Sequence, residues 1–228
     1  SICKNEDGQQ SDTIDVPNFF IELQNTFGIN SFTLAHYVEE LLHTLYADAF
    51  IHSKSRLSAA ELADSDFQTI EHSLDGHPWV IVNKGRIGFD SQDYEDFTPE
   101  SSQNTRLVWI AAHKDRTTFR LLEGMDQQNF YENELSKEKI TSFRTLIAQA
   151  KVNPEDYIFI PVHSWQWQNK LVMQFAHDIA SKYLIPLGLS DDLYSPQQSI
   201  RTFFNQSQPH RHYVKTSMSI LNTSHIRG

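Results

Sequence analysis

Ser199-Ile200-Arg201-Thr202-Phe203-Phe204 and His212-Tyr213-Val214-Lys215-Thr216-Ser217-Met218-Ser219-Ile220-Leu221 decide the fold. In the second run Val214, Thr216, Met218 and Ile220 alternate with Tyr213, Lys215, Ser217 and Ser219. That is the period-two pattern of a strand with one buried and one polar face. The first run reads as its antiparallel partner. Alternation sets Ser199 and Arg201 on one face of the first strand, and Lys215 on the polar face of the second. Paired, the strands point Arg201 and Lys215 into one cavity, with Arg227 at its edge. Cations and hydroxyls converging in this way suit a polyanion, since a guanidinium grips phosphate or carboxylate with two hydrogen bonds. A solvated basic hairpin face is the competing reading.

Upstream, the chain mixes helices and strands. Leu34, Val38, Leu41, Leu42 and Leu45 recur at three- and four-residue spacing, which predicts a helix over 31–50 with one buried face. His36 and His43 on that helix read as helix surface or core edge rather than a metal pair. Good helix formers continue over 57–72. Strands are expected at 79–82, 106–112 and 157–162, with 117–122 pairing onto the second of these. Helices are expected over 133–151 and 165–184, and a loop over 191–198. Regular strand–helix–strand alternation is missing, so the fold class is α+β with a mixed or antiparallel sheet and packed helices. We divide the chain into a loose segment 1–16, a helical region 17–74 and an α+β region 75–228.

The chain has 228 residues, of which 39% are hydrophobic, 21% charged and 12% aromatic. This is enough for one large domain or two small ones, and the aromatic content argues against disorder. Lys plus Arg number 19 against 29 Asp plus Glu, a formal charge of -10. Global attraction to nucleic acid or to an anionic membrane is thereby disfavoured. Cys3 is the sole cysteine, so no intramolecular disulfide and no Cys-rich zinc site can form. No stretch approaches the roughly 20 apolar residues of a membrane helix. The first residue is not Met, and Ile226-Arg227-Gly228 follows directly on a motif-like segment, so a piece of a longer chain is expected.

Glycine-rich phosphate loops, Gly-x-Gly-x-x-Gly, His-Glu-x-x-His and Gly-x-Ser-x-Gly are all absent from the sequence. Three other places attract notice. His77, Lys84 and Arg86 surround the apolar run at 79–82, with His77 and Lys84 near its opposite ends, as a binding cluster or as a solvated basic turn. His163 stands at a strand-to-helix junction, where ligand groups collect and where a cap or packing role is equally open. His210-Arg211-His212 offers two histidines with no third ligand.

Together these segments resemble the siderophore synthetases that work independently of nonribosomal peptide synthetases, the family of the two aerobactin synthetases. The residues that carry the resemblance run in family order: Gly76-His77-Pro78 through Lys84, then Gly85-Arg86-Ile87-Gly88-Phe89, Tyr94, Pro99-Glu100, 107–111, Pro161-Val162-His163-Ser164-Trp165-Gln166, Ser199-Ile200-Arg201-Thr202, Lys215 and Thr223-Ser224-x-x-Arg227. Val80-Ile81 replaces the family's second His-Pro, and Ser164 replaces a Pro.

The resemblance implies the thumb and fingers regions of such an enzyme, cut before a C-terminal palm domain. It implies a cytoplasmic, ATP-dependent ligase with Mg2+ on the phosphates. A carboxylic acid, citrate first, is adenylated and passed to an amine or alcohol. Ser199, Arg201, Thr202, Lys215 and Lys84 would bind the nucleotide, and Thr223, Arg227 and His163 the substrate. Arg201, Lys215, Arg227 and His77 would act in catalysis. A homodimer is compatible with it. Two rivals stay open: a catalytically inactive nucleotide- or carboxylate-binding module, motivated by Val80-Ile81, and a metal-binding domain using His210 and His212.

Overall fold

A computed structural model describes residues 15–77 and 84–220, with the backbones of two short antiparallel strands, β1 (Lys4–Glu6) and β2 (Gln9–Ser11), ahead of them. The strand expected at 79–82, and Thr223 and Arg227, lie outside the described residues. Two compact units emerge, one holding 15–57, 75–77, 84–89 and 220, the other 58–74 and 90–219.

The smaller unit is built on helices. α1 (Val16–Glu22) starts at Asp15, whose carboxylate accepts the Asn18 amide at 3.1 Å, and α2 (Gln24–Phe27) ends on left-handed Gly28. α3 (Ser31–His52) is capped by Asn30, whose side chain accepts the Thr33 amide at 2.8 Å. Phe20 meets Tyr37 edge-on with ring centroids 4.8 Å apart, which seats α1 on α3. The helix falls where the periodicity sets it, but its buried face differs. Leu34, Glu40, Ala47 and Ile51 are buried, while Leu42 is 52% exposed and Leu45 38%. The segment 84–86 packs against α3. A Cβ on Gly85 would overlap Glu40 Cγ, and Lys84 Nζ pairs with the Asp48 carboxylate.

The larger unit is α+β, as expected. α4 (Ala59–Ala63) and α5 (Phe67–Ser73) replace one helix over 57–72. The break follows from Asp66, whose carboxylate accepts the Thr69 amide at 2.7 Å and starts a new helix. α6 (Ser91–Phe97) opens with a capping box between Asp90 and Asp93. β3 (Val108–His113) follows, then α7 (Gln127–Glu134) and α8 (Lys137–Gln149). α8 lies within the helix expected over 133–151 and starts later, because Ser136 Oγ accepts the Lys139 amide at 3.1 Å and begins the helix there; α7 precedes it and is not among the expected helices.

β4 (Tyr157–Val162) leads into α9 (Ser164–Gln166), a π-helical turn at Trp167–Leu171, α10 (Val172–Gln174) and α11 (Ala176–Ala180). Helix therefore stops at Ala180, short of the expected 184, and Leu184 opens β5 (Leu184–Leu189). β6 (Tyr194–Pro196) occupies part of the expected loop, followed by β7 (Thr202–Asn205) and β8 (Val214–Lys215).

Two antiparallel sheets result, ordered β4-β3-β5 and β6-β7-β8. Residues 117–122 form no strand; the partners of β3 are β4 and β5. Trp109 and Ala111 face α7 and α8, in a core with Tyr131, Ile140, Phe143, Ile147 and Phe159. Val108 and Ile110 face the opposite way, against Val162, Trp167 and Leu171. A sheet covered on both faces explains why 107–112 reads as a continuous apolar run.

Phe143 is fully buried, with its ring centroid 5.8 Å from Trp109 and 5.3 Å from Phe159. Phe143→Ala is expected to lower the unfolding free energy by about 3–5 kcal/mol. Urea denaturation of parent and variant checks this, and a loss below about 1 kcal/mol would contradict the assigned core.

Candidate functional site

β7 begins at Thr202, three residues after the strand start expected at Ser199. Residues 197–202 instead form a tight turn. The Gln197 amide donates to Thr202 O at 2.9 Å and the Ile200 amide to Gln197 O at 2.7 Å. Ile200 sits at φ 55° with its side chain wholly buried. Left-handed backbone is rare for a β-branched residue and signals a held conformation. The turn brings two hydroxyls together, since Ser199 Oγ lies 2.7 Å from Thr202 Oγ1 and accepts the Thr202 amide at 3.1 Å. Ser199 and Arg201 are thus neighbours on a turn, not same-face residues of one strand.

The antiparallel pairing of β7 with β8 is present, with Thr202 opposite Lys215 and Phe203 opposite Val214. Directly opposed residues share a face, so Lys215 and Thr202 stand on the same face of the β7–β8 pair. Arg201 O accepts the Thr216 amide at 2.8 Å, extending the contact past the strand end. The alternation read from 213–220 also holds: Thr216, Met218 and Ile220 are buried, whereas Tyr213, Lys215 and Ser217 are exposed. Lys215 forms no ion pair among the described residues.

His163 ends β4 and caps α9. Its Nδ1 accepts the Trp165 amide at 3.0 Å, so Nε2 carries the ring hydrogen. The ring is 1% exposed, lies between Phe97 (4.7 Å) and Phe203 (5.3 Å), and its Nε2 has no hydrogen-bond partner among the described residues. Burial pulls its pKa down to about 3. His163 is therefore a neutral, buried cap that braces the start of β7.

Gln166, quoted above only as part of a motif, has a role that sequence reasoning did not assign. Its Oε1 accepts the Ser219 amide and its Nε2 donates to Ser219 Oγ, each at 2.8 Å. This bidentate clamp fixes the chain just beyond Lys215. Asp48, the partner of Lys84, was also missed. Both lack a local motif; only a Gln directly after two junction residues hints at the first. In the smaller unit the Lys84 stem runs 3.5 Å from where a Gly76 Cβ would be, while the run 79–82 between His77 and Lys84 lies outside the described residues.

His212 Nδ1 pairs with Glu134 Oε1 at 2.5 Å, and His36 Nδ1 bonds Phe32 O within its own helix at 2.9 Å. Among the described residues no group of three or more His, Cys, Asp or Glu is arranged to hold a metal. No helix among them is long and apolar enough to cross a membrane.

The family model described as the IucA / IucC family matches residues 66–228. The chain belongs to this family. Putrebactin synthase of Shewanella sp. (strain MR-4) is 44% identical over 96% of the chain. The citryl-spermidine/3,4-dihydroxybenzoyl-citryl-spermidine:spermidine ligase of Bacillus anthracis is 34% identical over 99% of it. The crystal structure of the petrobactin biosynthesis protein AsbB from Bacillus anthracis str. Sterne superimposes with a TM-score of 0.83 over 99% of the chain, at 33% identity. The chain spans only 35% and 37% of the two relatives' lengths and 37% of the solved chain. An IucA / IucC member is what the ordered motifs at 76–89, 161–166 and 199–227 point to, and the antiparallel α+β fold agrees with the solved relative.

The burial of His163 has a pH consequence. The unfolded chain takes up a proton near the ordinary histidine pKa of about 6.5, whereas the folded ring stays neutral down to about 3. Its contribution is complete above pH 6.5 and is lost progressively as pH falls toward 3. His163→Asn keeps an N-cap acceptor and removes the titration. Between about pH 6.5 and about pH 5 the parent should lose about 2 kcal/mol more stability than the variant. Urea midpoints at the two pH values test this, and parallel losses would show that His163 is not buried neutral.

Proposed function

We propose that the chain is the nucleotide-gripping portion of an ATP-dependent siderophore synthetase. It would act in the cytoplasm, where ATP is supplied, joining a carboxylic acid to an amine or alcohol. The observation that carries the proposal is the β7–β8 pairing, which sets Lys215 beside the Ser199–Thr202 hydroxyl pair, with Arg201 between the two hydroxyls in sequence. Family membership and the ligase named among its relatives support the reaction class. The word "citryl" in that relative's name makes citrate the first acid to try.

In this reading both reactants are anions that repel one another. A carboxylate oxygen bonds to the α-phosphorus of ATP, and the bond from that phosphorus to the bridging oxygen breaks. Pyrophosphate leaves with the electron pair. The amine or hydroxyl then bonds to the acyl carbon and gives up its proton, and AMP departs. Lys215 and Arg201 hold the triphosphate, while Ser199 and Thr202 donate to its oxygens. Fixed cations at developing charge act before the reaction begins, with no reorganisation to make. Thr223 and Arg227 are assigned to the α-phosphate and the acid, and His77 and Lys84 to the same reaction, Lys84 exchanging its Asp48 partner for the anion. His163 supports β7 from behind. Mg2+ carried on the triphosphate would screen its charge, in keeping with a cation that binds through substrate phosphates more than through protein cages.

The test is ATP–pyrophosphate exchange on the longest natural polypeptide carrying this chain, with a panel of carboxylic acids led by citrate. Exchange that depends on one acid is expected. Lys215→Ala and Arg201→Ala should each cost about ten- to hundredfold in kcat/KM for ATP. ATP binding without exchange would favour the inactive binding module instead. Because its relatives are far longer, the 228-residue chain alone is expected to show no exchange, and turnover by it would refute that expectation.

A further inference from the structure

The strained turn at 197–202 needs an agent that holds it, and the structure offers one outside every motif named so far. α5 presents Gln68, Glu71 and His72, spaced three and four apart and so on one helix face. All three engage the buried segment Ser195–Gln198. Gln68 Oε1 accepts Gln197 Nε2 at 2.9 Å, and His72 Nε2 lies 2.7 Å from Ser195 Oγ. Glu71 Oε1 accepts the Gln198 backbone amide at 2.6 Å, and its own carbonyl oxygen accepts Gln198 Nε2 at 3.1 Å.

Ser195, Gln197 and Gln198 are each almost wholly buried. A buried polar segment of this kind has little apolar packing to fix its register, so its hydrogen bonds must do so. The Glu71 bond is the charge-assisted one, the stronger class. It grips the backbone two residues before Ile200, whose left-handed φ would otherwise relax toward extended backbone. Relaxation there would separate the Ser199 and Thr202 hydroxyls and turn Arg201 away.

We infer that Glu71 is a positioning residue for nucleotide binding: its carboxylate holds the 197–202 turn in the strained form that presents Ser199, Arg201 and Thr202 to a triphosphate. This rests on the function proposed above and assigns that function a residue whose side chain touches neither substrate nor cation.

The experiment measures KM for ATP and for the acid by pyrophosphate exchange on the longest natural polypeptide carrying the chain, with melting temperature alongside. Arg201→Ala serves as the control for the nucleotide assignment. Glu71→Ala should raise KM for ATP about tenfold or more while KM for the acid moves less than about twofold. Glu71→Gln keeps the acceptor oxygen and should recover most of that loss. Glu71→Asp is the milder variant should the alanine form fail to fold. Its shortened carboxylate misses the amide, so KM for ATP should rise about threefold or more.

If the Glu71 variants lower the melting temperature but leave KM for ATP at the parent value, while Arg201→Ala raises it, the inference is overturned and the function stands. If Arg201→Ala has no effect on ATP, or the parent neither binds nor uses ATP, the nucleotide assignment fails and takes the inference with it.

Discussion

β3 is the constraint on which the larger unit depends. Its residues 108–112 are all buried, and it spends its hydrogen bonds on β4 along one edge and β5 along the other. Nothing else in this unit joins the two sides of the fold so completely. Because β4 is locked to it from Val108–Val162 through His113–Tyr157, the chain leaves β4 at a fixed place and direction. His163 then caps the next turn, and Gln166 follows one helical turn later, facing Ser219. On the other edge, the Ser190 amide donates to Leu107 O at 2.7 Å just past β5, which delivers the chain to β6. Both edges of the second sheet's surroundings are thus set by one strand.

The second sheet is small, and polar contacts add to its precision. Among the described residues one packed cluster of it comprises Leu107, Tyr194, Phe203 and Val214. β8 is two residues long, and two ladder partners alone would leave Lys215 free to wander. Gln166 removes that freedom by holding Ser219 through both its amide and its hydroxyl. The turn before β7 is held from another direction by α5. Left-handed Ile200 then costs on the order of 1–2 kcal/mol, a cost that the buried Ile200 side chain and the surrounding hydrogen bonds offset. Strain of this kind persists where the surroundings over-determine it.

How much of this was legible follows the physics of each signal. α3, β3 and β4 stood out because periodicity or a continuous apolar run marks a buried face directly. The break within 57–72 and the late start of α8 escape periodicity, because a single Asp66 or Ser136 satisfies a new helix start from its side chain. β5 carries no strand signal, since Pro186 and Gly188 interrupt its apolar run. Pro186 is tolerated on an edge strand, and Gly188, at φ 97°, sits where the β3–β5 register shifts. At the site, alternation located Lys215 correctly, since the outward residues of β8 are the polar ones. Ser199 to Arg201 read as the start of a strand, because the conformation of the 197–202 turn depends on distant partners. Those partners, Gln68 and Glu71, belong to a helix far away in sequence, and Glu71 acts on a backbone amide, which leaves no residue pattern to find.

The placement of charges follows the same logic. Several cations among the described residues find carboxylates: Lys84 with Asp48, Lys139 with Asp191, Arg211 with Asp192. A cation so paired gains little from a second anion, because the first must be displaced or tolerated nearby. Lys215, exposed and without an ion pair among the described residues, keeps its full field. It still has to be aimed, and a salt bridge would aim it only by neutralising it. The fold instead spends its buried polar groups on main-chain amides: Glu71 on Gln198, Gln166 on Ser219. Anchoring the backbone fixes where the side chains start and leaves their charge unspent. That combination suits the polyphosphate site proposed here.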